Sequence, residues 1–186
     1  MIGYVFCGSF CTLSRSLVAL EELVRAGEEV VPITSERVYT TDTRFFRAED
    51  FLARVRELTG RDIIHTVRDA EPLGPKVVLD AMIIAPCTGN TLAKLSLGIT
   101  DTAATMAAKA HLRADRPLLI ALASNDAMSQ NLTSIATMLI RKSVYFVPLT
   151  QDDPPRKPHS LVADFSRIKE AYGAMMEGRQ LRPLFV

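Results

Sequence analysis

The sequence predicts a three-layer α/β protein built on a doubly wound parallel sheet, and three observations point there. Short apolar runs alternate with helical patterns along the whole chain. The runs Ile2–Cys7, Ala81–Ala85 and Leu118–Ala123 are apolar throughout rather than alternating, as strands buried on both faces are. Most of these runs end in small polar residues that lead towards a helix, the way an open α/β sheet presents a ligand outside the carboxyl ends of its strands. At 186 residues the chain fits one domain, 1–186, large enough to bury roughly 70% of the surface its unfolded form exposes.

Taken in order, Ile2–Cys7 is the first strand, closed by Gly8-Ser9. Leu13, Leu17, Leu20 and Val24 recur at helical spacing, and Gly27 supplies the stop. Val30–Ile33 is the second strand, and Pro32, which has no N–H for a ladder, implies an edge position or the strand's end. Glu36–Phe46 lacks periodicity and is expected to be a long polar loop. Phe51, Leu52, Val55 and Leu58 mark a helix that stops near Gly60, and Ile63–Val67 is expected to be a minor strand. Pro72, Gly74 and Pro75 punctuate a turn. The next strand opens at Ala81, breaks at Pro86 and gives way to a helix beyond Gly89-Asn90. An alanine-rich helix runs from Asp101 to about His111, a further strand covers Leu118–Ala123, and Leu132, Ile135, Ala136 and Leu139 carry another helix. Val144–Val147 is a strand and Gln151–Ser160 an exposed, proline-rich loop. Leu161–Met175 is expected to be a final amphipathic helix, followed by an extended tail suited to packing on a neighbour. This is a Rossmann-like order of elements.

Charge and cysteine content exclude several classes. The 22 basic and 21 acidic side chains leave a net charge of +1, so no global field favours nucleic acid or an anionic membrane. The arginines between Arg37 and Asp69 are interleaved with carboxylates and form a locally neutralised surface. Cys7, Cys11 and Cys87 lack metal-ligand spacing and the three histidines stand far apart. No metal site and no disulfide framework is expected, which suits a reducing cytoplasm. No apolar run reaches the ~18–20 residues of a membrane span.

The candidate site lies at the strand ends. Gly3-x-x-x-x-Gly8 has the glycine spacing of a phosphate loop but lacks the lysine and hydroxyl that follow it, and the dinucleotide fingerprint G-x-G-x-x-G is absent. What remains is a set of hydroxyls and amides at four junctions: Gly8 and Ser9, Thr34 and Ser35, Thr88, Asn90 and Thr91, and Ser124. Together with helix-start amides they can hold a monophosphate and a planar heterocycle without any charged side chain. Taken singly, each is also an ordinary helix cap.

Gly8-Ser9 and the run Ala85-Pro86-Cys87-Thr88-Gly89-Asn90-Thr91-Leu92-Ala93-Lys94, with Gly98 and Asp101 beyond it, resemble the flavoprotein family of flavin-dependent cysteine decarboxylases. Its usual form is A-P-A-(S/T)-A-N-T-x-x-K, so Cys87 and Gly89 stand where that form has alanines. The resemblance implies a homo-oligomer that binds FMN between subunits, with the eight junction residues as its contacts. Two features depart from the decarboxylases. The catalytic histidine upstream of A-P is missing, Pro72 standing near its place with His65 the nearest histidine. The later P-A-M-N-x-x-M-W run is reduced to Asn125 and Met128. The blocks Thr40–Phe45, Glu71–Lys76 and Lys157–Ala163 instead resemble a branch of the family that serves as one half of a two-subunit oxidoreductase. In that branch NAD or NADP would belong to the other half, the substrate being a dicarboxylate. Arg44, whose guanidinium matches a carboxylate, and Asn125 are the expected substrate donors. No catalytic acid or base is identified. A non-catalytic partner protein without flavin, and a decarboxylase of a cysteinyl or pantothenoyl-cysteine substrate, remain open at this point.

Overall fold

The computed structural model describes residues 1–186. Its strands and helices are β1 (Ile2–Phe6), α1 (Leu13–Arg25), β2 (Val30–Thr34), α2 (Glu36–Thr40), α3 (Ala48–Thr59), α4 (Val67–Ala70), β3 (Ala81–Thr88), α5 (Gly89–Leu97), α6 (Ala103–Leu112), β4 (Leu118–Ser124), α7 (Leu132–Leu139), β5 (Val144–Phe146), β6 (Leu149–Thr150), β7 (Leu161–Ala163) and α8 (Ile168–Met176). Seven strands form one sheet in the order β2-β1-β3-β4-β7-β6, with β5 also paired to β4. The ladders β1–β2, β1–β3, β3–β4 and β4–β5 are parallel, whereas β7 runs antiparallel to both β4 and β6. The fold is therefore α/β and mostly parallel, with an antiparallel margin that the alternation of elements did not reveal.

β1, β3 and β4 are central because they are apolar on both faces: every residue of β1 and β4 is buried, as are the first seven of β3. Helices cover both faces and share one continuous apolar core with these strands. Within that core, Tyr4 buries its ring and places its hydroxyl 3.0 Å from both the carbonyl oxygen and the Oγ of Ser16 on α1. Ser16 Oγ donates to the Ala85 carbonyl of β3. A polar thread thus joins β1, α1 and β3 inside an otherwise apolar layer.

Five expectations are corrected. β3 does not break at Pro86 but continues to Thr88. Proline offers no ladder N–H, and the β3–β4 register shifts between Ile84 and Cys87 to accommodate it, while the Pro86 carbonyl accepts from Cys7 N–H at 3.1 Å. Glu36–Thr40 is a short helix rather than loop. Ile63–Val67 is not a strand: only Ile64 bridges β2, and Val67 opens α4. Leu161–Ala163 is a strand rather than helix, because the end of β4 at Ala123–Ser124 leaves a ladder edge beyond β5 that these residues fill. The tail packs on its own chain, with Leu149 N–H donating to Leu184 at 2.7 Å and Val186 N–H to Leu149 at 2.9 Å. The edge position expected for β2 from Pro32 does hold.

Candidate functional site

The carboxyl ends of β1, β2 and β3 converge on a cleft of about 620 Å³ lined by Gly8, Ser35, Glu36, Arg37, Thr88, Asn90, Thr91, Lys94 and Thr102. Five of the eight junction residues read from the sequence meet there: Gly8, Ser35, Thr88, Asn90 and Thr91. The local structure explains the wall built by α5 and α6. Thr88 caps α5, its Oγ1 accepting from Thr91 N–H at 3.1 Å and donating to Thr91 Oγ1 at 3.0 Å. Gly98 ends the helix at φ +73°, a conformation glycine adopts without a Cβ penalty. Thr102 and Thr105 form a reciprocal capping box at the start of α6.

The remaining three sit differently. Thr34 is fully buried behind Ser35, and both side-chain oxygens lack any hydrogen-bond partner. Ser9 turns into a 3-10 turn, its carbonyl accepting from Thr12 N–H at 3.0 Å and Thr12 Oγ1 at 2.9 Å. Ser124 lies beneath the first residue of α5. Its hydroxyl donates to Asp126, whose same oxygen accepts from Asn131 Nδ2 at 2.8 Å. These donors hold the Asp126 carboxyl below the usual range, Ser124 contributing most. A second polar groove, between α5 and α7, begins at this cluster, and Asn90 borders both cavities.

Neither Arg44 nor Asn125 lines the cleft: Arg44 comes after α2, and Asn125 directly after β4. Arg44 lies 4.8 Å over the ring of exposed Phe45 and makes no ion pair with Asp42, whose Oδ1 accepts from Ala48 N–H at 2.8 Å. Asn125 Oδ1 is 3.5 Å from Ser160 Oγ. His65 does not line the cleft; its ring stacks 3.6 Å from that of Tyr39, and its Nδ1 lies 3.3 Å from the Ile63 carbonyl. Cys87 is fully buried, and burial with the neighbouring Cys7 pushes its thiol well up, so it fills space rather than serving as a thiolate. Cys7 is likewise raised by burial, to about 11. All three cysteines are free and no residue cluster suits a metal ion.

Sequence reading missed Glu36, Arg37 and Thr102 in the lining and had Lys94 only as a residue of the family motif. Lys94 is paired within the chain: its Nζ lies 2.9 and 2.7 Å from the two Asp101 oxygens, which holds that carboxyl below its ordinary value. The break in periodicity after Ser35 concealed α2, and with it the side chains that the helix turns toward Gly8.

A polar crevice at the strand ends of a mostly parallel sheet, with unpartnered hydroxyls beside it, is where open α/β proteins present a ligand site. The flavoprotein family model matches residues 2–175, and the chain belongs to that family. Within it, the chain is 39% identical over 185 residues to the B subunit of dipicolinate synthase from Bacillus subtilis (strain 168), covering 100% of this chain and 92% of the relative. Its structure superposes on that of the dipicolinate synthase B subunit from Bacillus halodurans C with a TM-score of 0.91 at 37% identity, covering 100% and 95% of the two chains. The FMN-dependent cysteine decarboxylase SpaF shares the fold, with a TM-score of 0.69, 18% identity and 95% coverage of each chain.

Proposed function

We propose that this chain is the flavin-binding B subunit of a dipicolinate synthase in the cytoplasm of a spore-forming bacterium's mother cell. The observation that carries the reading is the end-to-end likeness to a protein of that name, 39% identical over 185 residues. With the A subunit of dipicolinate synthase, which would bring NAD or NADP, it would oxidise dihydrodipicolinate to dipicolinate. The dihydropyridine gives up two electrons and two protons, a hydride going to the nicotinamide and a proton to solvent, and the ring becomes aromatic.

FMN fits the residues present. The cleft's 620 Å³ lies within the roughly 300–1,000 Å³ usual for such sites. Buried hydroxyls without partners are costly unless a ligand or water satisfies them, and Ser35 Oγ, in a residue of the lining, is such a group. When bound, FMN supplies a two-electron redox centre. Ser35, Thr88 and Thr91 would donate hydroxyls to it, Gly8 a backbone N–H, and Asn90 an amide at the boundary of the two cavities. Gly8 suits this role because its N–H enters no hydrogen bond in the chain. Ser9, Thr34 and Ser124 would support these contacts from behind. Arg44 and Asn125, which stand outside the cleft lining, are proposed as carboxylate donors to the substrate in a homo-oligomer.

Against decarboxylation stands the loss from the sequence of the histidine that the decarboxylases carry upstream of Ala85-Pro86, the acid–base partner of that chemistry. Titration of the purified protein with FMN, read by flavin absorbance and fluorescence quenching, tests the cofactor. Saturation at micromolar flavin is expected, and no binding would favour a non-catalytic partner protein. Failure of the A and B subunits together to form dipicolinate from dihydrodipicolinate and NAD or NADP would refute the reaction.

A further inference from the structure

The cleft holds two cations, and they are not equivalent. The Lys94 ammonium is neutralised by both oxygens of Asp101. Arg37, on the exposed side of α2, enters no ion pair or side-chain hydrogen bond, yet lines the same cleft. It stands against Gly8: a Cβ at residue 8 would lie 3.9 Å from Arg37 Cβ and 3.7 Å from the Phe10 ring. The backbone at Gly8 and the start of the Arg37 side chain are thus neighbours at the cleft. Thr34 Oγ1, in a fully buried residue, and Ser35 Oγ lie three and two residues before Arg37 without partners. A guanidinium with no carboxylate, an open backbone N–H and the orphaned hydroxyl of Ser35 form a donor set in the cleft with no acceptor in the chain. That set matches a phosphate monoester, whose oxygens accept from a planar fork of N–H groups.

We infer that Arg37 is the charged anchor for the terminal phosphate of the cleft's ligand and sets its preference for a phosphorylated flavin over the unphosphorylated one. The inference rests on the flavin reading of the cleft. Ligand specificity here depends on charge as well as on hydroxyls and amides. Glu36 lines the same cleft without a cationic partner, so it opposes the anion. The mouth is therefore tuned by adjacent side chains of opposite sign, while the Lys94–Asp101 pair contributes no net charge.

The test compares FMN with riboflavin on the full-length protein, by fluorescence quenching at low and high salt. Wild type is expected to bind FMN more tightly than riboflavin, with an FMN affinity that falls as ionic strength rises. Arg37→Ala should lose roughly 10- to 100-fold in FMN affinity and leave riboflavin affinity unchanged. Arg37→Lys should retain part of the FMN preference, and Glu36→Gln should tighten FMN by a few-fold. Far-ultraviolet circular dichroism confirms that the variants are folded. FMN binding by Arg37→Ala equal to wild type overturns the role of Arg37 while leaving the flavin reading intact. A wild type that binds neither flavin overturns the flavin reading and this inference with it.

Discussion

Replacing Gly89 with alanine is expected to destabilise the protein, although alanine is the better helix former and the usual residue in this family's motif. A Cβ at position 89 would lie 2.5 Å from Asn131 Nδ2, 2.5 Å from Ser124 Oγ and 3.1 Å from Asp126 Oδ1. None of these atoms ends a long flexible chain. Asn131 and Ser124 are 6% and 8% exposed, and both donate to Asp126. To reach ordinary contact, α5 must move by about 1 Å, or a donor must leave the carboxylate. Overpacking of this kind costs about 1–3 kcal/mol, and loss of a hydrogen bond to a charged group about 1.5–3 kcal/mol. The propensity gain of alanine offsets at most ~1 kcal/mol. A net loss of about 0.5–2 kcal/mol corresponds to a Tm lower by roughly 1–8 °C for a chain of this size. Gly173→Ala in α8 is the control: its Cβ would meet nothing within 4 Å, so a gain of ~0.5–1 kcal/mol is expected. Calorimetric melts of the two variants decide the matter. If Gly89→Ala melts at or above wild type while Gly173→Ala rises, the seat formed by Ser124, Asp126 and Asn131 does not constrain α5 as described.

Two further outcomes follow from buried polar groups. Tyr4→Phe removes the hydroxyl that reaches Ser16, and urea unfolding should show a loss of about 1–2 kcal/mol with an unchanged m-value. His111 is 1% exposed, with Nε2 2.9 Å from the Pro117 carbonyl and Nδ1 without a partner. Burial holds its pKa below the ordinary 6.5, the Pro117 hydrogen bond opposing this only in part. Protons therefore bind the unfolded chain more readily than the folded one. The stability contributed above pH 6.5 should be lost as pH falls from there through the folded pKa. His111→Asn should flatten the dependence of the urea midpoint on pH between about 7.5 and 5. That window lies above the range in which Asp101 and Asp126, both lowered in the folded state, take up protons.

The candidate site was legible where its parts are local in sequence. The run Thr88-Gly89-Asn90-Thr91 places a helix cap and an amide within one helical turn, at a strand end where an open α/β sheet presents its ligand. Gly8 and Ser35 follow apolar strands and were recoverable for the same reason. Arg37 was not, because a five-residue helix has too few turns to establish a period, and its neighbours Glu36 and Thr40 read as loop. Arg44 and Asn125 appeared related only through the chemistry of a common substrate, and neither lines the cleft.

By itself, then, the sequence determined the layers. Uniformly apolar runs can be stable only as strands buried on both faces, and the helical patterns between them must cover those faces. It also determined the family, through the motif from Ala85 to Asp101. The tertiary structure alone decided the sheet's antiparallel margin, the role of Gly89 and the charge in the cleft. β7 is a strand because β4 leaves it an edge to pair with. Gly89 is small because Ser124 and Asn131, from another strand and the start of another helix, occupy the space a side chain would need. Lys94 is neutralised and Arg37 is not because the fold brings a carboxylate to one and leaves the other facing the crevice.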